Sequence, residues 1–141
     1  MSSVPFHYVD LQAFCYATED DKRVEQAMRT FLPEEFPLER IENAGHHGDR
    51  IVVFSARVEK ADDVRHVLSL LADLDDIDRV LDELDSRVTD NCELYLYLDK
   101  QAAFSGDVAL GTGLSLRGKV EAYPAKRETA IENVREAFAD L

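Results

Sequence analysis

Five cations stand close together near the end of a chain that is otherwise acidic. Lys100, Arg117, Lys119, Lys126 and Arg127 face only Asp107 and Glu121 over residues 100–127, a local charge of +3. Residues 1–99 carry 10 basic and 23 acidic side chains, and residues 128–141 sum to −3. A basic island suits a polyanion, because phosphate oxygens are met by ammonium and guanidinium groups. Tyrosines lie near it. Tyr95 and Tyr97 alternate with Leu94, Leu96 and Leu98, which puts the two phenols on one face of a strand and the leucines on the other. Rings beside cations on an open sheet can stack nucleobases while the cations meet phosphates, and stacking contributes about 1–3 kcal/mol per base.

Other motifs carry less chemistry. Gly45-His46-His47-Gly48-Asp49 offers two adjacent histidines, but adjacent side chains diverge and no Cys or His stands at ligand spacing, so a glycine-containing turn is the simpler reading. Gly111-Thr112-Gly113 precedes a strand rather than a helix and so lacks the helix N-terminus that anchors a nucleotide phosphate. The Asp and Glu clusters fall on helix faces as solvated surface. No nucleophile, base and oxyanion hole come together. The residues therefore predict no catalytic group, no metal and no cofactor.

The elements that must position these residues are set by periodicity. Alternation over 6–17 predicts a strand with Val9, Leu11, Ala13, Cys15 and Ala17 on one face and Tyr8, Asp10, Gln12, Phe14 and Tyr16 on the other. Thr18, with Asp21 three residues on, predicts a helix cap, and Val24, Ala27, Met28 and Phe31 keep helical spacing until Pro33 and Pro37. Residues 38–44 and 50–58 read as a hairpin around the Gly45–Asp49 turn. Residues 61–88 are helical, with the cluster Asp73, Asp75, Asp76 and Asp78 marking a break. Residues 92–99 and 113–123 read as strands, and a last helix runs from about 126 to 140. The order βα-ββ-αα-β-β-α predicts an α+β domain, a single mostly antiparallel or mixed sheet with helices on one face. The uncovered face then collects Phe14, Tyr16, Ser55, Arg57, Tyr95, Tyr97, Arg117, Lys119 and Tyr123. Three readings fit such a face: an RNA-stacking platform, a protein contact, including that of a homodimer, or an ordinary half-exposed surface.

Size and composition bound the rest. With 141 residues, 45% of them hydrophobic and 32% charged, the chain can bury a core as one domain without staples. No apolar run approaches the roughly 18 residues of a membrane span, and the start lacks a signal-peptide pattern, so a cytoplasmic protein is expected. Cys15 and Cys92 then read as reduced core thiols. The net charge of −13 alone argues against nucleic acid. Yet Asp outnumbers Glu, and Arg outnumbers Lys, a balance expected of a halophilic proteome. At molar salt the Debye length is about 3 Å, so surface acids repel a polyanion weakly.

Three segments together carry a resemblance: Gly45-His46-His47-Gly48-Asp49-Arg50-Ile51, Leu96-Tyr97-Leu98-Asp99-Lys100-Gln101-Ala102-Ala103, and Val120-Glu121-Ala122-Tyr123-Pro124-Ala125-Lys126-Arg127-Glu128. In order and spacing the chain resembles, over its whole length, an archaeal family described as RNA-binding and as exosome-associated. The resemblance implies an α+β fold like that of the ribosomal protein that holds 5S RNA, RNA as ligand, RNA-processing proteins as partners and no enzymatic activity. It points to Lys100 and Gln101 at a strand end and to Lys126 and Arg127 at the opening of the last helix. Together with the face residues, the expected RNA-binding set is Tyr16, Tyr95, Tyr97, Lys100, Gln101, Arg117, Lys119, Lys126 and Arg127.

Overall fold

The computed structural model describes residues 4–44 and 49–141. Its elements are β1 (Phe6–Cys15), α1 (Asp21–Arg29), β2 (Glu39–Ala44), β3 (Arg50–Val58), α2 (Ala61–Ala72), α3 (Ile77–Asp82), α4 (Leu84–Arg87), β4 (Glu93–Asp99), α5 (Lys100–Phe104), β5 (Gly113–Val120) and α6 (Arg127–Ala139). The strands form one sheet in the order β2-β3-β1-β5-β4, with every pair antiparallel. This is the α+β architecture expected from the sequence. The Gly45-His46-His47-Gly48 part of the expected hairpin turn lies outside the described residues.

Alternation along β1 decides which side is covered. Val9, Leu11, Ala13 and Cys15 are buried, and their cross-strand neighbours Val58, Ala56, Phe54 and Leu116 are buried with them. Onto this face pack the apolar stripes of three helices: Val24, Ala27 and Met28 of α1, Val64, Val67, Leu68 and Leu71 of α2, and Ala130, Ile131, Val134 and Phe138 of α6. The i, i+3, i+4 spacing of each stripe puts its members on one helix face. Both cysteines are free and buried in this core. Among the described residues no helix is long and apolar enough to cross a membrane.

Several boundaries differ from the sequence reading, each for a local reason. The first helix is capped by Asp20, whose side chain accepts from the Lys22 N–H, and not by Thr18. Asp21, the expected capping-box partner, turns instead to Arg40 and Arg50. The helical stretch breaks at the aspartate cluster as expected, but beyond the break the chain forms two short helices, α3 and α4. Lys100 does not close a strand. Asp99 accepts from the Ala102 N–H and so opens α5, a helix whose five residues are too few to show a period. Finally, β5 stops at Val120, so Tyr123 leaves the sheet and stands 81% exposed beyond it.

Gly118 shows how closely the covered face is packed. It lies inside β5, opposite Val9 and Leu94, and a Cβ there would meet Phe6 Cε1 at 2.7 Å. The ring of Phe6 therefore uses the space a side chain would need. Gly118→Ala is expected to lower stability by about 1–3 kcal/mol, as overpacking does. Urea unfolding of Gly118→Ala, Phe6→Leu and the double variant checks this: the double variant should lose less than the sum of the two single losses.

Candidate nucleic-acid interface

The uncovered face of the sheet is built from alternate residues that the register aligns in rows. One row runs Glu39, Ser55, Gln12, Ser115, Tyr97 from β2 to β4, and the next runs Arg57, Asp10, Arg117, Tyr95 from β3 to β4. A third row sets Tyr8 and Glu93 on either side of Lys119. Together with Phe36, Pro37 and Leu38, which precede β2, the first two rows line a shallow groove of about 980 Å³.

Asp10 organises the second row. Its carboxylate accepts from Arg57 Nε and Nη2 at 2.8 and 2.9 Å on one side and from Arg117 Nη2 at 2.8 Å on the other. Arg117 also meets Glu93 at 3.4 Å, and Arg57 lies over the Tyr8 ring, 4.0 Å from its centroid. Partial burial works against the Asp10 charge, but the hydrogen bonds and charges of the two guanidiniums outweigh it and hold its carboxyl below the usual range. The two guanidiniums are thus held in place where they line the groove, and both side chains stay 40–50% exposed.

The structure does not bring all the expected residues together. Tyr95, Tyr97, Arg117 and Lys119 do share the open face, and Tyr97 is 57% exposed. Lys119 Nζ donates to the Asn91 carbonyl. Tyr16 lies just past β1, its ring stacked on Phe14 at 6.5 Å between centroids; both rings are exposed and form a separate aromatic patch near the β1 end of the face. Lys126 and Arg127 sit apart, at the start of α6, where Arg127 approaches Asp90 at 4.0 Å and the Asp85 carbonyl at 3.4 Å. Gln101 is exposed on α5.

Lys100 belongs to none of these. It is 9% exposed, and its ammonium donates to the Phe14 carbonyl at 2.8 Å and to Glu19, whose two oxygens lie 2.8 and 2.7 Å away. Gly113, at φ +99°, leaves room for its stem: a Cβ there would lie 2.8 Å from Lys100 Cβ. The ammonium is spent on tying α5 to the end of β1, so Lys100 reads as a structural lysine and leaves the set that can reach phosphate. Sequence position alone could not show this, because a lysine at a strand end is ordinarily solvated.

The fold and this face define the class: a small α+β protein with an open antiparallel sheet that presents tyrosines and oriented guanidiniums. The chain belongs to the family described as RNA binding, which matches residues 8–120. It is 31% identical, over 92% of each chain, to an RNA-binding protein of Pyrococcus abyssi. A DUF54 protein of Methanothermobacter thermautotrophicus has a similar structure, with TM-score 0.78 and 34% identity over 94% of this chain and 98% of that one. A DUF54-family protein of Archaeglobus fulgidus superposes with TM-score 0.83 at 28% identity, over 94% and 99% of the chains. These relatives are archaeal.

The pair formed by Lys100 and Glu19 sets a pH limit. Burial disfavours the Glu19 carboxylate, but the Lys100 hydrogen bond, the Tyr16 N–H and the Lys100 charge hold its pKa below 4.5. A depressed acid stabilises the fold above its unfolded pKa of about 4.3, and that contribution is lost as pH falls through the lower folded value. Lys100→Met is expected to cost about 1–3 kcal/mol at neutral pH, since it leaves the partly buried Glu19 carboxylate without its cation. Urea unfolding from pH 7 to pH 3 checks both points: wild type should weaken below about pH 4, and Glu19→Gln should weaken less steeply.

Proposed function

We propose that this protein is a non-catalytic RNA-binding protein that takes single-stranded or looped RNA on the open face of its sheet. One observation carries the reading: in a chain of the RNA-binding family, the open face presents Tyr95 and Tyr97 beside Arg57 and Arg117, which Asp10 holds in place. Bases stack on the two tyrosines, and the two guanidiniums, with Lys119, meet phosphates. Tyr16 stacked on Phe14 extends the track toward the β1 end. Lys126, Arg127 and Gln101 lie away from the groove and serve as outer contacts for a longer strand. The groove supports binding more than chemistry, because a carboxylate held ionised between two guanidiniums is a weak general base.

Acidity does not forbid this reading. Over the rows that carry the cations, Arg57, Arg117 and Lys119 are set against Asp10 and Glu93, so the platform itself is close to neutral. Affinity then comes mainly from stacking, which salt weakens little, and such a protein would work in the concentrated salt that the Asp-rich composition suggests. Participation in RNA processing, including contact with the exosome, is the finer form of the proposal. It rests on the resemblance alone, and copurification of exosome subunits that survives ribonuclease treatment would support a direct contact.

Anisotropy titration of labelled single-stranded RNA tests the site. Tyr97→Ala is expected to weaken binding by about tenfold or more, the loss of one stacked base. With three phosphate contacts, log K should fall against log salt with a slope of about −2 on a single strand. Unchanged affinity in Tyr95→Ala and Tyr97→Ala would move the site off this face. Asp10→Asn supplies a second check. It removes a negative charge from the groove but also one of the two acceptor oxygens that orient Arg57 and Arg117, so near 1 M salt, where the Debye length is about 3 Å and the charge change is screened, it should weaken RNA binding several-fold.

A further inference from the structure

The two edges of the sheet are treated differently. The outer side of β4 is occupied at both ends: Val88 bridges Leu94 and the Thr89 N–H donates to Glu93, while Leu110 bridges Leu98 and the Asp99 N–H donates to Ala109. The outer side of β2 pairs with no described residue, and all six of its side chains are exposed. A bare edge strand is a template for another strand, and the question is which strand its sequence accepts.

The residues of β2 answer this by register. In an antiparallel pairing with a second copy about a two-fold axis normal to the sheet, opposed residues share a face, so the axis passes through a residue. An axis at Arg40 opposes two arginines, and an axis at Glu42 opposes two glutamates. An axis at Ile41 sets Ile41 against Ile41, Arg40 against Glu42 on both sides, and Glu39 against Asn43. It is the one register centred among these three that opposes no like charges. It also completes an apolar row. Ile41 is 46% exposed and lies on the open face beside Val53 and the 41% exposed Phe14; the row runs off the edge at Ile41, and a second copy continues it.

We propose that β2 is an interface between two copies of this chain, joined edge to edge about an axis at Ile41 into one continuous ten-stranded sheet. Arg40 and Glu42 stand on the helix-side face, where Arg40 meets Asp21 at 2.7 Å and Glu42 at 3.6 Å, and Arg50 meets Glu42 at 2.6 Å. Pairing brings two such networks together with opposite charges facing. The open faces of the two copies end on the same side of the joined sheet. The contact is one strand wide, well under the roughly 1,200–2,000 Å² of a standard interface, so the dimer forms at high protein concentration.

Charge reversal tests it. Sedimentation equilibrium of the full chain should show reversible association toward twice the 16.0 kDa monomer. Arg40→Glu and Glu42→Arg each place like charges opposite one another twice and should weaken association about tenfold or more, while the double variant restores it. Trapping gives a second readout that tolerates weak affinity. Opposed residues in an antiparallel pair have Cα atoms about 4.5 or 5.5 Å apart, both within disulfide range. Ile41→Cys should therefore cross-link on mild oxidation, and Asn43→Cys, which faces Glu39, should not. A chain that stays monomeric up to roughly millimolar concentration, association unmoved by either charge reversal, or equal cross-linking of the two cysteine variants would overturn the proposal.

Discussion

The two-sided pairing of β1 is the constraint on which the rest of the molecule depends. This central strand is flanked by β3 and β5, so its period-two pattern fixes both faces at once. Leu11 and Ala13 define the core, and Asp10, Gln12 and Phe14 define the open face. A slip of one residue would bury Asp10 and expose Leu11, which is why the register is strongly specified. Asp10 then adds an electrostatic check on that register, because only this alignment puts one carboxylate between Arg57 and Arg117. The same side chain that confirms the fold orients the cations of the proposed binding face.

That division of labour explains how much of the fold is legible in the sequence. Faces are legible because alternation is a local signal: the leucines of 94–98 and the tyrosines between them sort themselves without knowledge of any neighbour. The helical stripes at Val24, Ala27 and Met28 and at Val64, Val67, Leu68 and Leu71 are legible for the same reason. The strand order is not, since β5 pairs with β1 across more than a hundred residues and nothing local announces it. The end of β5 is hidden too, because the pattern Val120, Ala122 continues alternation after the pairing has stopped.

The site is legible by type and illegible by partner. A basic island can be counted, but which of its members are free depends on contacts distant in sequence. Lys100 is removed from the island by Glu19 and the Phe14 carbonyl, partners 81 and 86 residues away. Arg57 belongs to the face although it lies outside the island, because the register brings it to Asp10. Cys15 makes the same point for reactivity. Burial first, then the Asp21 hydrogen bond and the Asp21 and Glu19 charges, push its thiol up to about 11, so it is an inert core residue, as its place on the apolar side of β1 already suggests.

Charge and shape together argue for a particular style of recognition. A protein with a net charge of −13 cannot gather RNA by long-range attraction at low salt, and at high salt no protein can. On the proposed face, what remains effective in both regimes is contact, with flat rings for bases and guanidiniums already oriented before the ligand arrives. Holding Arg57 and Arg117 against Asp10 lowers the charge they project but also removes the side-chain entropy that ordering them on binding would cost. The trade weakens non-specific attraction to any polyanion and spares contacts that demand fit. An edge-to-edge pairing at β2 would compound that selectivity, because two modest faces on one continuous sheet act on a single strand of RNA only when the strand is long enough to reach both.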